Sequence, residues 1–141
     1  MMPKIKAVIV DVDGTVAKIT RRNPHDTAKC GQDEPIAHVI ELVRLFSYNG
    51  YRVLFCSGRE ASFRDLTDRW LKEHVSVPFD LFMRPAGDKR KDSVVKEEIY
   101  VSHIKDMYSV RAVIDDRLQV CQLWHKLGLP LFRVGDPDAV F

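Results

Sequence analysis

The feature that most constrains the fold is an apolar run near the start of the chain that ends in two aspartates. Residues 7–10 are apolar without alternation, which is typical of a central parallel strand buried on both faces. Asp11, Asp13, Gly14 and Thr15 follow at once. Aspartate and glycine are common in ordinary turns, so a solvated turn after the strand is one interpretation. A phosphate-transfer site at the carboxyl end of the strand is the other.

Strand-like and helix-like segments alternate along the chain. Apolar runs predict strands over residues 7–10, 51–56, 79–83, 110–114 and 129–134. Amphipathic stretches predict helices from a cap at Asp33 to Asn49, over residues 62–74, from a cap at Asp92 to Met107, and up to Gly128. Residues 17–34 lack periodicity and are expected to form a long polar loop. The alternation predicts an α/β fold, a three-layer Rossmann-like parallel sheet with helices on both faces, and we expect residues 1–141 to form a single domain.

Polar side chains follow three of these strands at the point where each strand ends. Because the carboxyl ends of parallel strands share one edge of the sheet, we expect these side chains to converge on one site. They are Asp11, Asp13, Ser57, Arg59, Asp115 and Asp116. Asp115 and Asp116 could instead cap the next helix, but adjacent carboxylates repel each other without a cation. The pattern therefore favours a metal-dependent site over a set of turns.

Composition narrows the class of protein. Lys and Arg total 22 against 20 Asp and Glu, so the chain carries no global polycation signal, although a local basic patch is compatible with a nucleic-acid partner. Cys30, Cys56 and Cys121 have no CxxC spacing and are expected to be reduced thiols. The sequence shows no signal-peptide pattern and no apolar run of membrane-spanning length. We therefore expect a cytoplasmic protein with no membrane partner.

The sequence resembles the haloacid dehalogenase (HAD) superfamily of phosphotransferases, whose four motifs are matched by the polar groups at the strand ends together with one lysine. The matching residues are the DVDGT run from Asp11, Ser57-Gly58-Arg59, Lys96 and Asp115-Asp116. A closer resemblance, over nearly the whole chain, is to the 3′-phosphatase domain of bacteriophage polynucleotide kinase-phosphatases. It rests on residues 22–26 with 29–30, on 57–60, 87–92 and 94–99, and on 114–117 with 119–120. The resemblance implies a HAD-like fold and removal of 3′-phosphates from DNA or RNA ends.

The resemblance also implies roles for the aspartates, and the chemistry of the residue type agrees with them. Asp11 is expected to be the nucleophile that forms an aspartyl-phosphate. Asp13 is expected to be the general acid for the leaving alcohol and then the base for the attacking water. Asp11, the Asp13 carbonyl and one or both of Asp115 and Asp116 are expected to hold Mg²⁺, a cation that prefers oxygen ligands.

The remaining motif residues are expected to bind the phosphate or the strand that carries it. The implied substrate-binding residues are Arg22, Ser57, Gly58, Arg59, Asp92 and Lys96. Ser57 would donate a hydrogen bond to a phosphate oxygen, and Lys96 would neutralise the charge of the phosphate and of Asp11. Asp92 precedes Lys96 by one helical turn and is expected to aim its ammonium, with a helix cap as the alternative. Arg22 and Arg59 would contact the phosphate or the strand.

The gaps between the motifs leave no room for a sizeable cap domain of the kind that many relatives close over small metabolites. An open site suits a polymer end, and it also suits a phosphoprotein. The sequence has no GxxxxGK[ST] motif, so we expect a stand-alone phosphatase or one part of a larger system with a separate kinase or ligase. Lys89, Arg90 and Lys91 form a solvated surface by default and a path for a phosphate backbone in the alternative.

Three hypotheses about function follow from these features. The main one is a Mg²⁺-dependent polynucleotide 3′-phosphatase that acts in nucleic-acid repair. The second is the same chemistry on a small phosphorylated metabolite or nucleotide. The third, from another class, is a catalytically silent interaction module, against which the complete set of acidic and basic motif residues argues.

Overall fold

The computed structural model describes residues 3–19, 23 and 26–141. The strands are, in chain order, β1 (Ile5–Val10), β2 (Ala17–Lys18), β3 (Glu34–Pro35), β4 (Arg52–Glu60), β5 (Phe79–Arg84), β6 (Tyr108–Asp115) and β7 (Leu131–Arg133). The α-helices are α1 (Ala37–Tyr48), α2 (Arg64–His74), α3 (Asp92–Ile99) and α4 (Leu118–Lys126). Five of the strands form one parallel sheet in the order β5-β4-β1-β6-β7.

Strand β1 lies at the centre of this sheet and explains the apolar run that opens the sequence. Val8 and Val10 pack in a core with residues of α1 and α2, whereas Ala7 and Ile9 pack in a second core with residues of α3 and α4. A strand covered on both faces needs apolar side chains on both, so the run does not alternate. The predicted three-layer α/β architecture is confirmed, and the described residues contain no cap domain.

The segment before α1 differs from the prediction. Helix α1 begins at Ala37 and no side chain caps it, so the predicted cap at Asp33 is wrong. Strand β3 instead pairs with β2 in a small antiparallel sheet, which keeps this part of the chain extended. The Asp33 carboxylate accepts a hydrogen bond from Arg59 rather than from the helix. The expected loop also contains a 3₁₀ helix at Thr27–Gln32.

Helix α3 is shorter than predicted, and its first residue has a different role. The helix gives way to a π-helical turn at Tyr100–Ile104, before Met107. Asp92 begins the helix, but no side chain caps it, so the capping role predicted for Asp92 is wrong. The Asp92 carboxylate accepts hydrogen bonds from Arg84 and Arg117. The start of α3 is thereby tied to the ends of β5 and β6.

In the described part of the chain, no helix combines the length and the apolar character that crossing a membrane requires.

Candidate active site

The carboxyl ends of the central strands border one open cavity of about 770 Å³. The predicted site residues that line it are Asp11, Asp13, Gly58, Arg59, Asp92, Lys96, Asp115 and Asp116. Ser57 is buried at the end of β4, with 1% of its surface exposed. Arg22 lies outside the described residues. The structure therefore brings together the motifs that sequence reasoning placed at one sheet edge, although they are far apart in the chain.

Asp11 lies on the floor of the cavity, directly after β1, and both of its carboxylate oxygens are held. The Lys96 Nζ donates to Oδ1 at 2.7 Å, and the Thr15 Oγ1 donates to Oδ2 at 2.9 Å. Thr15 reaches back to Asp11 because the Val12 carbonyl accepts the backbone N–H groups of residues 15–17 and closes a tight turn. This turn presents one aspartate in a fixed orientation to the cavity.

Lys96 is a buried counter-charge shared by two carboxylates. Its Nζ also donates to Asp115 Oδ2 at 3.2 Å, and its side chain is only 3% exposed. Burial lowers the pKa of Lys96, but Asp11 and Asp115 outweigh burial and hold that pKa well above its ordinary value. Burial raises the pKa of Asp11, and the charge of Asp115 raises it further while Lys96 opposes the shift. The single positive charge of Lys96 therefore does not balance the negative charges of the carboxylates around it.

Three carboxylates beside Lys96 form a candidate metal site. One oxygen from each of Asp11, Asp115 and Asp116 lies within 4.8 Å of the others. Asp115 is fixed by the Asp116 backbone N–H at 2.8 Å and by the Trp124 Nε1–H at 3.1 Å. Burial raises the pKa of Asp116, and Asp115 adds to that shift. An acidic, all-oxygen donor set is the kind that Mg²⁺ prefers, so these residues fit that ion.

Asp13 points away from this cluster and pairs with Arg59. The guanidinium donates to Asp13 Oδ1 at 2.6 Å from Nη2 and to Oδ2 at 3.1 Å from Nε. It also donates to Asp33 Oδ2 at 2.9 Å and to Thr67 Oγ1 at 3.1 Å, and it is buried. These contacts make Arg59 an orienting partner of Asp13, and a direct contact of Arg59 with substrate stays a prediction. The Asp13 carboxylate is not among the three carboxylates of the candidate metal site, so a role of Asp13 in metal binding, through its backbone carbonyl, stays a prediction.

The region around Gly58 joins the end of β4 to the start of α3. Ser57 Oγ accepts the Arg59 backbone N–H at 3.1 Å, at the irregularity in strand pairing that lies between Ser57 and Glu60. A Cβ at Gly58 would lie 2.6 Å from Asp92 Oδ1, so only glycine lets this carboxylate approach. Asp92 does not direct Lys96 as expected, because Asp11 and Asp115 bind the ammonium and Asp92 binds two arginines. The predicted substrate contacts of Ser57, Gly58 and Asp92 stay predictions.

Sequence reasoning assigned no role in the site to several residues that build it. They are Thr15, Asp33, Arg84, Arg117 and Trp124. Arg84 and Arg117 follow strand ends, so the rule that located the other motifs could have found them. Asp33 and Trp124 carried no such signal, because each contributes through a partner distant in sequence. Trp124 is fully buried in the core.

Comparison with known proteins places the chain in a family. The family model described as "Polynucleotide kinase PNKP phosphatase domain" matches residues 5–139. A curated relative, the putative bifunctional polynucleotide kinase/RNA ligase of Autographa californica nuclear polyhedrosis virus, is 35% identical over 89% of this chain and 18% of its own length. The chain thus spans less than a fifth of that relative.

Solved structures agree with that assignment. A chain of the Pnkp1/Rnl/Hen1 RNA repair complex is 36% identical, with a TM-score of 0.90 over 96% of this chain and 44% of that one. The class C acid phosphatase of Bacillus anthracis has a TM-score of 0.72 over 99% of this chain and 70% of that one at 14% identity, a likeness of fold alone. The chain therefore belongs to the phosphatase-domain family of the polynucleotide kinase PNKP, within the HAD superfamily.

Proposed function

We propose that this chain is a Mg²⁺-dependent phosphomonoesterase that removes 3′-phosphates from polynucleotide ends through an aspartyl-phosphate. The observation that carries the proposal is the environment of Asp11. Its carboxylate ends the central strand, faces the cavity, and is held by Lys96 and Thr15 beside two further carboxylates. A nucleophile needs this fixed orientation, because displacement at phosphorus requires the attacking and leaving oxygens to lie roughly in line.

The first step transfers the phosphoryl group to the protein. An oxygen of Asp11 forms a bond to phosphorus while the bond from phosphorus to the ester oxygen breaks. Asp13 donates its proton to that leaving oxygen, so the product is a neutral hydroxyl at the polynucleotide end. Arg59 orients Asp13 for this transfer through hydrogen bonds from its Nε and Nη2 groups.

The second step restores the protein. Asp13, now a carboxylate, takes a proton from a water molecule as that water attacks phosphorus. The bond between phosphorus and the Asp11 oxygen breaks, which releases inorganic phosphate and regenerates both aspartates. Lys96 supports both steps because its ammonium lies beside Asp11 and offsets the negative charge that the phosphate brings.

Mg²⁺ would be held by Asp11, Asp115 and Asp116, with the Asp13 carbonyl as a further ligand. When bound, the ion neutralises phosphate charge and reduces its repulsion from the carboxylate nucleophile. Lys96 alone leaves this acidic cluster short of positive charge, which supports a divalent cation in this position.

Three features support a polynucleotide as the substrate. The family model is that of a polynucleotide kinase phosphatase domain. The cavity is open because no cap domain stands over it in the described residues, and Lys89, Arg90 and Lys91 border it. Relatives are described as a kinase/ligase and as part of a repair complex. We propose that a kinase and a ligase act with this phosphatase, which forms one domain over residues 1–141.

A substrate panel tests the proposal. The purified protein is assayed with Mg²⁺ on 3′-phosphorylated DNA and RNA oligonucleotides, sugar phosphates, nucleotides and p-nitrophenyl phosphate. We expect kcat/KM to be highest on an oligonucleotide and activity to disappear with a chelator and return with Mg²⁺. A higher kcat/KM on a sugar phosphate would contradict the substrate assignment. No hydrolysis of any compound would support the silent interaction module instead.

A further inference from the structure

We propose that Phe141, backed by Arg117, stacks on a nucleobase next to the reacting end of the polynucleotide, an inference that rests on the proposed function. The starting observation is the character of the cavity wall. Its described lining is almost entirely charged or polar, and the large apolar side chains in it are Ile19 and Phe141. Phe141 is 59% exposed, so a large aromatic surface faces solvent inside a charged cleft.

The segment that carries Phe141 is anchored to the loop of Asp116, one of the residues proposed to hold Mg²⁺. Arg133 Nε donates to the Asp116 carbonyl at 3.2 Å, and Arg133 Nη2 donates to the Ala139 carbonyl at 2.5 Å. Gly135 lies so close to this loop that an added Cβ would be 3.4 Å from the Asp116 Cβ. One arginine therefore ties the segment to the residue that is proposed to hold Mg²⁺, and this positions the ring beside the reacting centre.

Arg117 supports the ring. The centre of its guanidinium lies 5.8 Å from the centroid of the Phe141 ring, a distance at which a cation interacts with an aromatic face. The same guanidinium is held by the Asp92 carboxylate at the start of α3. The ring thus has a fixed cation on one side and solvent on the other, which leaves surface for a planar ligand.

A nucleobase suits this surface better than any other part of the substrate. The phosphates and sugars are matched by the charged walls, whereas the bases need an apolar or aromatic partner. Stacking of a base on an aromatic side chain is tolerant of sequence, because every base has a π-face. A polynucleotide end with bases should therefore bind more tightly than the same end without them.

The test compares two 3′-phosphorylated oligonucleotides that differ only in the last two nucleotides, which carry bases in one and are abasic in the other. The assayed proteins are the wild type, Phe141→Ala, Phe141→Trp and the control Phe132→Ala, which removes another exposed ring, on β7. We expect the wild type to show a KM about 5- to 100-fold lower for the end with bases, the range of one stacking contact. Phe141→Ala should bring the two KM values together, whereas Phe141→Trp and Phe132→Ala should keep them apart.

Two failures are distinguishable. A wild type that dephosphorylates both oligonucleotides with equal KM values, or a Phe141→Ala protein that still discriminates between them, would overturn the stacking role and leave the proposed function intact. A wild type that prefers a sugar phosphate to both oligonucleotides would overturn the proposed function, and the stacking role with it.

Discussion

Asp11 and Asp13 are one residue apart in sequence, yet the protein gives them opposite surroundings. Asp11 is 7% exposed, and its partners are an ammonium, a hydroxyl and two further carboxylates. The side chain of Asp13 is 34% exposed, and a buried guanidinium holds it. The first carboxylate belongs to a crowded anionic cluster, whereas the second belongs to a separate ion-pair network that reaches Asp33.

This difference shows how two identical side chains acquire different chemistry. A carboxylate that is buried, aligned and close to a cation site suits attack on phosphorus, because it is held in one orientation. A carboxylate that remains partly exposed can exchange its proton with the leaving oxygen and with water. The environment, and not the residue type, separates the proposed nucleophile from the proposed acid and base.

The largest expected effect comes from replacing Asp11, the proposed nucleophile. Asp11→Asn keeps the shape of the side chain but cannot form an aspartyl-phosphate, so kcat should fall by at least about 10⁴-fold. The fall should be the same for an oligonucleotide and for p-nitrophenyl phosphate, because both need the same bond to phosphorus. An unchanged circular dichroism spectrum would verify the fold. A rate close to that of the wild type would rule out covalent catalysis by Asp11.

The second largest effect should come from replacing Asp13, and unlike that of Asp11 it should depend on the leaving group of the substrate. Asp13→Asn should lower kcat on a 3′-phosphorylated oligonucleotide by about 10²- to 10⁴-fold, the range of general acid catalysis. Nitrophenolate leaves without a proton, so the first step on p-nitrophenyl phosphate, seen as a burst of nitrophenolate, should slow by about tenfold or less, whereas hydrolysis of the aspartyl-phosphate should slow for both substrates. Single-turnover and burst kinetics on both substrates measure the contrast. Equal losses in the first step on both would show that Asp13 does not protonate the leaving group.

The alternation of strands and helices along the chain and the position of the site could be predicted, because both depend on local patterns. Apolar runs located the strands, and strand ends located the polar groups. The caps predicted at Asp33 and Asp92 are both wrong for one physical reason. An arginine from a distant segment binds each carboxylate, and its full positive charge and fork of N–H donors compete with the backbone N–H groups at the start of the helix. Such pairings arise only when the chain folds, so sequence periodicity carries no sign of them.

The third prediction concerns the network around Asp13. Arg59→Met removes the guanidinium and leaves Asp33 buried without this partner, so the free energy of unfolding should fall by about 3–5 kcal/mol. Without the guanidinium Asp13 should lose its fixed orientation, which should also lower kcat on an oligonucleotide by about 10²-fold. Chemical denaturation and kinetics measure the two effects.

The matched control for Arg59 is Arg69→Met, because Arg69 is exposed on α2. That variant should keep both values close to those of the wild type. If Arg59→Met slowed the first step equally on p-nitrophenyl phosphate and on the oligonucleotide, Arg59 would act on the phosphate and not through Asp13.

The smallest effect should come from a methyl group added beside the candidate metal site. Gly14 has a φ of +79°, and a Cβ there would lie 2.1 Å from Asp116 Oδ2, so Gly14→Ala must displace that carboxylate. Displacing a ligand in this way should raise the Mg²⁺ concentration needed for half-maximal activity by about tenfold. Gly128→Ala is the matched control, because Gly128 has a φ of +77° and nothing lies within 4 Å of its added Cβ. It carries the same backbone strain without the clash, so a Mg²⁺ requirement raised equally in both variants would show that strain, and not the position of Asp116, causes the change.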